Sequence, residues 1–171
     1  QFVNDVKDNS IADKILEAIK MRGLNAGHEK EYSSWQNSMQ FMRNIVDDSD
    51  IDDEVRICIE YNIPLTSKRV DFIIAGADNY GKDNIVIVEL KQWQKAEVVA
   101  DDMHYCVRTY VANSDRIVCH PSYQAYSYSC FLRNYSQSLT DEDISLIPCA
   151  YLHNYQPEYR QALSNPIYKE W

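Results

Sequence analysis

The chain has 171 residues, 45 % of them hydrophobic, which suits one domain with a substantial buried core. Its 4 glycines and 5 prolines argue against a disordered or low-complexity protein. No apolar stretch approaches the ~20 residues needed to cross a bilayer, so a membrane protein is not expected. A net charge of −9, without any run of Lys or Arg, argues against a domain that holds nucleic acid by charge alone. If phosphates are the target, a divalent cation must supply local positive charge, or another domain must hold the substrate. Five cysteines (58, 106, 119, 130 and 149) are odd in number and lack close paired spacing. Reduced, buried thiols in a cytoplasmic protein are the expectation.

Ser10 is placed to cap a helix running to about Met21, with Ile11, Ile15, Leu16 and Ile19 on one side. Asn25 to Glu31 reads as a polar loop, and a second helix starts at Ser33 or Ser34, carrying Trp35, Met39, Met42 and Val46. Asp47 to Asp53 reads as a solvated acidic turn. Val55, Ile57, Ile59 and Tyr61 then alternate with Arg56, Cys58 and Glu60, the period of a half-buried strand. A strand over 69–75, a hairpin loop over Gly76 to Asn84 and a strand over 85–91 follow. Residues 96–119 suggest a further hairpin around Asn113-Ser114-Asp115. Pro121 suits the first turn of a helix reaching about Tyr135, and a last strand spans 146–152. The order α, β, β, β, insertion, α, β predicts an α/β domain whose mixed central β-sheet is flanked by helices.

Successive strand residues face opposite ways, so in Glu89-Leu90-Lys91 the carboxylate and the ammonium emerge on one face. They close the apolar run Ile85-Val86-Ile87-Val88, where unpaired charges are costly. One strand earlier, Asp71 interrupts the run Val70-Asp71-Phe72-Ile73-Ile74. The intervening hairpin makes the two strands neighbours, so Asp71 and Glu89 can converge. Two carboxylates with a backbone carbonyl, that of Leu90, suit Mg²⁺ or Mn²⁺. Lys91 would face the same pocket and act on an attacking water or on the developing phosphoryl charge. The competing account is a pair of ordinary ion pairs at the sheet edge, Lys91 with Glu89 and Asp71 with Arg69 or Lys68.

Asp71 and Glu89-Leu90-Lys91, with 89 − 71 = 18 positions between the acids, resemble the PD-(D/E)XK nuclease superfamily, although Val70 stands where its motif has Pro. Gln124 and Tyr128, four residues apart on the helix after the Glu-x-Lys strand, are similar to a pair found in its RecB-like branch. Ile63-Pro64 to Phe72, Val88 to Trp93, His120 to Gln124 and Cys149 to Asn154 further resemble the N-terminal nuclease-like region of large bacterial proteins. The C-terminal part of those proteins is a Schlafen-type helicase/ATPase domain.

The resemblance implies a restriction-endonuclease-like core over about residues 30–155, within a single nuclease-like domain spanning 1–171 and cut from a longer protein. It implies hydrolysis of DNA, with RNA second, in phage defence or repair alongside the helicase domain. Asp71, Glu89, Lys91 and Gln124 would be catalytic; Asp71, Glu89, the Leu90 carbonyl and Glu60 would hold the metal; Gln92, His120 and Tyr128 would meet substrate. Glu31 is the alternative to Glu60, and pairing with Arg56 is the structural account of Glu60. Tyr123 and Tyr126 are assigned to the core. His104, Cys106, Cys119 and His120 form a further, zinc-like combination across the hairpin. A homodimer would let the enzyme cut two strands. The alternative function is an inactive nuclease fold kept for binding nucleic acid or protein.

Overall fold

Three helices open the chain: α1 (Phe2–Lys7), α2 (Ile11–Met21) and α3 (Glu29–Val46). The computed structural model describes residues 1–24, 29–48, 51–52, 54–99, 103–137, 139 and 144–168. Most of the expected loop after α2 and part of the acidic turn, at 49, 50 and 53, lie outside these residues. Residues 29–31, read as loop from sequence, are the first turn of α3, where Glu29 and Glu31 suit the positive end of the helix dipole. Helix α2 buries Ile11, Ile15 and Ile19, and α3 buries Trp35, Met39 and Met42, each set on one stripe. The short α1 was not predicted; at 6 residues it is under two turns and shows no repeat. Its Phe2 packs edge-on against Phe72 at 5.2 Å.

The chain continues with β1 (Arg56–Asn62), β2 (Arg69–Ala77), β3 (Asp83–Lys91), β4 (Glu97–Val98), β5 (Cys106–Val111) and β6 (Ser114–Cys119). Then come α4 (Pro121–Tyr135), β7 (Ser145–Leu152) and a short α5 (Arg160–Leu163) between two 3₁₀ turns. The main sheet has the order β1-β2-β3-β7, antiparallel except that β7 runs parallel to β3. This is the mixed sheet between helices that the order of elements predicted. Phe72, Ile74, Val86 and Val88 pack toward α1–α3; Ile73, Ile85 and Ile87 pack toward Tyr128 and Leu132 of α4. Strands buried on both faces explain why 70–74 and 85–88 read as continuous apolar runs.

The alternation along β1 and β2 breaks at one place. Ile57 and Ile59 belong to the α1–α3 side, but Tyr61 joins the α4 side; likewise Phe72 and Ile74 lie on the first side and Val70 on the second. Between these pairs Glu60 adopts φ +52°, and the β1–β2 ladder skips from Ile59–Phe72 to Tyr61–Val70. Left-handed backbone at one residue reverses the faces of those that follow. Tyr61 therefore does not continue the Val55-Ile57-Ile59 stripe, and Asp71 sits opposite the break.

The inserted segment forms a second sheet, β4-β5-β6. Its hairpin turns at Ala112-Asn113, φ 51° and 64°, one residue before the predicted position, because a two-residue type I′ turn needs φ > 0 at both central residues. Val107, Trp93 and Ala96 bury this sheet against Tyr168 of the C-terminal tail. Among the described residues no helix is long and apolar enough to cross a membrane.

Candidate active site

The β2–β3 ladder ends at Phe72–Val88, so Asp71 and Glu89 are the next residues on their strands and meet just beyond the last paired rung. The Leu90 amide donates to Asp71 Oδ2 at 2.8 Å, fixing that carboxyl against β3. Asp71 and Glu89 are electrostatic neighbours across the two strands. Glu89 is 1 % exposed, in a strand flanked by β2 and β7. Burial first, and the Asp71 charge second, push its pKa up to about 8. Asp71 is also raised, chiefly by burial, with the Leu90 amide and Lys91 opposing. Burial thus raises both carboxyls, and the metal-free pair as a unit takes up a proton more readily than two solvated acids would.

Lys91 Nζ donates to Glu89 Oε1 at 2.5 Å and lies 5.5 Å from the centre of the Trp93 ring. From α4, Gln124 Nε2 donates to the same Glu89 oxygen at 2.7 Å and to the Tyr128 hydroxyl at 2.8 Å. Pro121 at the first helical turn and the His120 cap set the start of α4, so positions 124 and 128 fall on its sheet-facing side. The other Glu89 oxygen, Oε2, is buried and has no hydrogen-bond partner among the described residues.

Asp71, Glu89, Lys91, Gln124 and Tyr128 therefore come together from three elements. The ion-pair account is met only in part. Lys91 does pair with Glu89, but in the sheet interior rather than at an edge, and Arg69 is engaged elsewhere, with Glu31 and Glu60.

Four residues expected at the site are placed differently, as is one assigned to the core. The Glu60 oxygens accept from Trp35 Nε1 at 2.7 Å and Arg69 at 3.1 Å, a consequence of the left-handed backbone that turns this side chain to α3. Glu60 still feels the Asp71 charge, but burial is the main cause that lifts its pKa to about 7. Glu31, the other candidate acid, binds Arg69 at 2.6 Å. Gln92 docks β3 on α3, donating to Ser34 and Ser38 and accepting from Asn37. His120 is 3 % exposed; its Nδ1 accepts from the Ser122 amide and its Nε2–H donates to the Leu163 carbonyl. Those two bonds define a neutral tautomer and occupy both nitrogens, so the zinc-like combination fails. Tyr126 is 41 % exposed rather than core, because Ala125, Tyr128 and Leu132 already fill the sheet-facing side of α4.

Neither family models, nor curated proteins, nor solved structures provide a match to this chain. The site must be judged on its own donors.

Among the described residues no group of three or more His, Cys, Asp and Glu side chains is arranged to hold a metal. The pair fits a hard cation nonetheless. The two carboxyls are neighbours, and the inward Glu89 oxygen has no hydrogen-bond partner among the described residues, which is the position a cation would satisfy. An extended residue turns its N–H and C=O to the same side, so the Leu90 carbonyl lies on the side of Asp71. Sequence reasoning missed Trp35 and Arg69, which bind Glu60 from outside any motif. Lys68, offered as a partner for Asp71 in the ion-pair account, places its ammonium 5.7 Å from the Tyr128 ring and 5.5 Å from the Phe131 ring.

Proposed function

We propose that this chain is a metal-dependent nuclease domain of PD-(D/E)XK type with a restriction-endonuclease-like core, hydrolysing phosphodiester bonds in nucleic acid, DNA before RNA. The observation that carries this reading is the adjacency of Asp71 and Glu89 beyond the end of the β2–β3 ladder, with Glu89 Oε2 buried and without a hydrogen-bond partner among the described residues. Asp71, Glu89 and the Leu90 carbonyl would hold Mg²⁺ or Mn²⁺. Bound there, the cation would polarise a phosphate oxygen and make a water nucleophile available at neutral pH.

The chain's own groups have separate tasks. Asp71 is held through Oδ2 by the Leu90 amide, which fixes the orientation of its carboxyl. Gln124 and Lys91 both hold Glu89 Oε1, which orients Oε2. Lys91, partly exposed, brings the cation that a substrate phosphate or attacking water would meet. The acidic surface makes a partner domain that delivers nucleic acid part of the same proposal, with a helicase/ATPase segment as the expected form and the cytoplasm as the setting.

The test is incubation of the purified chain with labelled single- and double-stranded DNA and RNA in Mg²⁺, Mn²⁺ or EDTA. Cleavage that needs metal and disappears in Asp71→Asn and Lys91→Met supports the assignment; unchanged cleavage in both variants rejects it. If no substrate is cut and no cation binds through Glu89, the domain is a binding module.

A further inference from the structure

Cys106 and Cys119 are directly opposite on the antiparallel strands β5 and β6. The His120 amide donates to the Tyr105 carbonyl at 2.7 Å, which makes the neighbouring 105–120 rung a hydrogen-bonded one. Rungs alternate in an antiparallel ladder, so Cys106–Cys119 is a non-hydrogen-bonded rung, the closer kind, with Cα atoms about 4.5 Å apart and both side chains on one face. A disulfide spans Cα separations of about 4.4–6.8 Å, so this rung can close with little backbone movement. Both thiols are only partly buried and both are free in the structure.

We propose that Cys106 and Cys119 are a reversible dithiol–disulfide pair, a covalent modification site on the inserted sheet. The co-reactant is a low-molecular-weight disulfide. One protein thiolate attacks it, forming a mixed disulfide and releasing one small thiol. The second protein thiolate then attacks the protein sulfur of that bond and releases the other small thiol. Two protons leave the cysteines and two small thiols carry them away, so the protein loses two hydrogens and the small disulfide gains them. Burial holds both thiols above the ordinary cysteine pKa, so closure quickens as pH rises and the thiolate fraction grows.

The position gives the bond a consequence. Cys119 immediately precedes His120, the cap of α4, and lies within the electrostatic reach of Lys91, Lys68 and Glu89. Closing it would clamp the base of the hairpin beside the helix that carries Gln124 and Tyr128. The inference does not depend on the proposed hydrolysis.

The full 171-residue chain is treated with oxidised glutathione at pH 8.5, its thiols are counted, and non-reducing tryptic peptides are mapped. The expected result is loss of two of the five thiols and of two hydrogens in mass, reversed by dithiothreitol. Trypsin separates the partners, leaving Cys106 in peptide 96–108 and Cys119 with Cys130 in peptide 117–133. The linked pair must therefore persist in Cys130→Ser and in Cys149→Ser and vanish in Cys119→Ser. Five thiols retained, stable glutathione adducts at 106 or 119, or a bridge through Cys130 or Cys149 would each overturn the proposal. The wild-type peptide map decides even if a serine variant misfolds.

Discussion

Gln124 reaches across 35 residues of sequence to donate to Glu89 at 2.7 Å, tying helix α4 to the central strand of the sheet. Its amide is divided between that carboxyl and the Tyr128 hydroxyl. Replacing Gln124 by Leu removes an orienting bond and leaves the acid itself in place. The expected result is a fall in metal affinity or cleavage of about 10–100-fold. Tyr128→Phe should cost less activity but about 1–2 kcal/mol of stability, because one Gln124 N–H loses its partner. Calorimetric titration and thermal unfolding of the two variants separate these effects.

Cation binding should displace the proton that the metal-free Asp71–Glu89 pair carries. Mn²⁺ or Mg²⁺ affinity is therefore expected to rise by up to ~10-fold per pH unit, levelling above the Glu89 pKa of about 8. Titrations between pH 6 and 9 in two buffers of different ionisation enthalpy would reveal the released proton. Glu89→Gln and Asp71→Asn should bind no cation at this site.

Without metal, stability should run the other way. Glu89 has a folded pKa of about 8, far above its unfolded value, so its contribution is complete below the unfolded pKa and disappears as pH rises through about 8. Glu60, at about 7, has the same sign. In EDTA the melting temperature should fall from pH 5 to pH 8.5, and at this chain size each kcal/mol is worth about 2–4 °C. A flatter curve in Glu89→Gln, flatter still with Glu60→Gln added, is the expected result. A wild-type curve rising over that range would contradict it.

Lys91→Met should leave cation binding measurable and reduce cleavage by ~10²-fold or more, the loss typical of a group aimed at developing charge. Single-turnover rates at saturating Mn²⁺, beside a binding isotherm, distinguish this from lost metal.

Glu60 tests the correction imposed by the fold. Because its oxygens serve Trp35 and Arg69, Glu60→Gln is expected to retain cleavage and cation affinity within about threefold, roughly the change a ligand-free neighbour produces. Glu60→Leu should instead lose about 1–3 kcal/mol of stability, by leaving the indole N–H and the guanidinium short of an acceptor. Loss of cation binding in Glu60→Gln would restore it as a ligand.

The main elements were legible because their signals are local. Pro121 at a helix start and the apolar runs at 70–74 and 85–88 specify α4 and the inner strands through side-chain sterics and hydrophobic pattern alone. The meeting of Asp71 with Glu89 was also readable, since a hairpin brings the acids of its two strands to one end. Where a strand runs unbroken, as along 85–89, side-chain parity follows from neighbouring residues, and sequence carries it.

What needed the folded chain were the long-range partners and one backbone angle. Nothing in Arg56 to Asn62 announces that Glu60 turns to φ +52° and hands its carboxylate to Trp35, 25 residues upstream. Nor does Gln92 reveal that α3 will occupy its amide, or His120 that the Leu163 carbonyl, 43 residues on, will take its Nε2–H. A polar side chain's chemistry states what it can bond to, and only packing decides which of several chemically equal partners arrives first and leaves nothing free for a substrate.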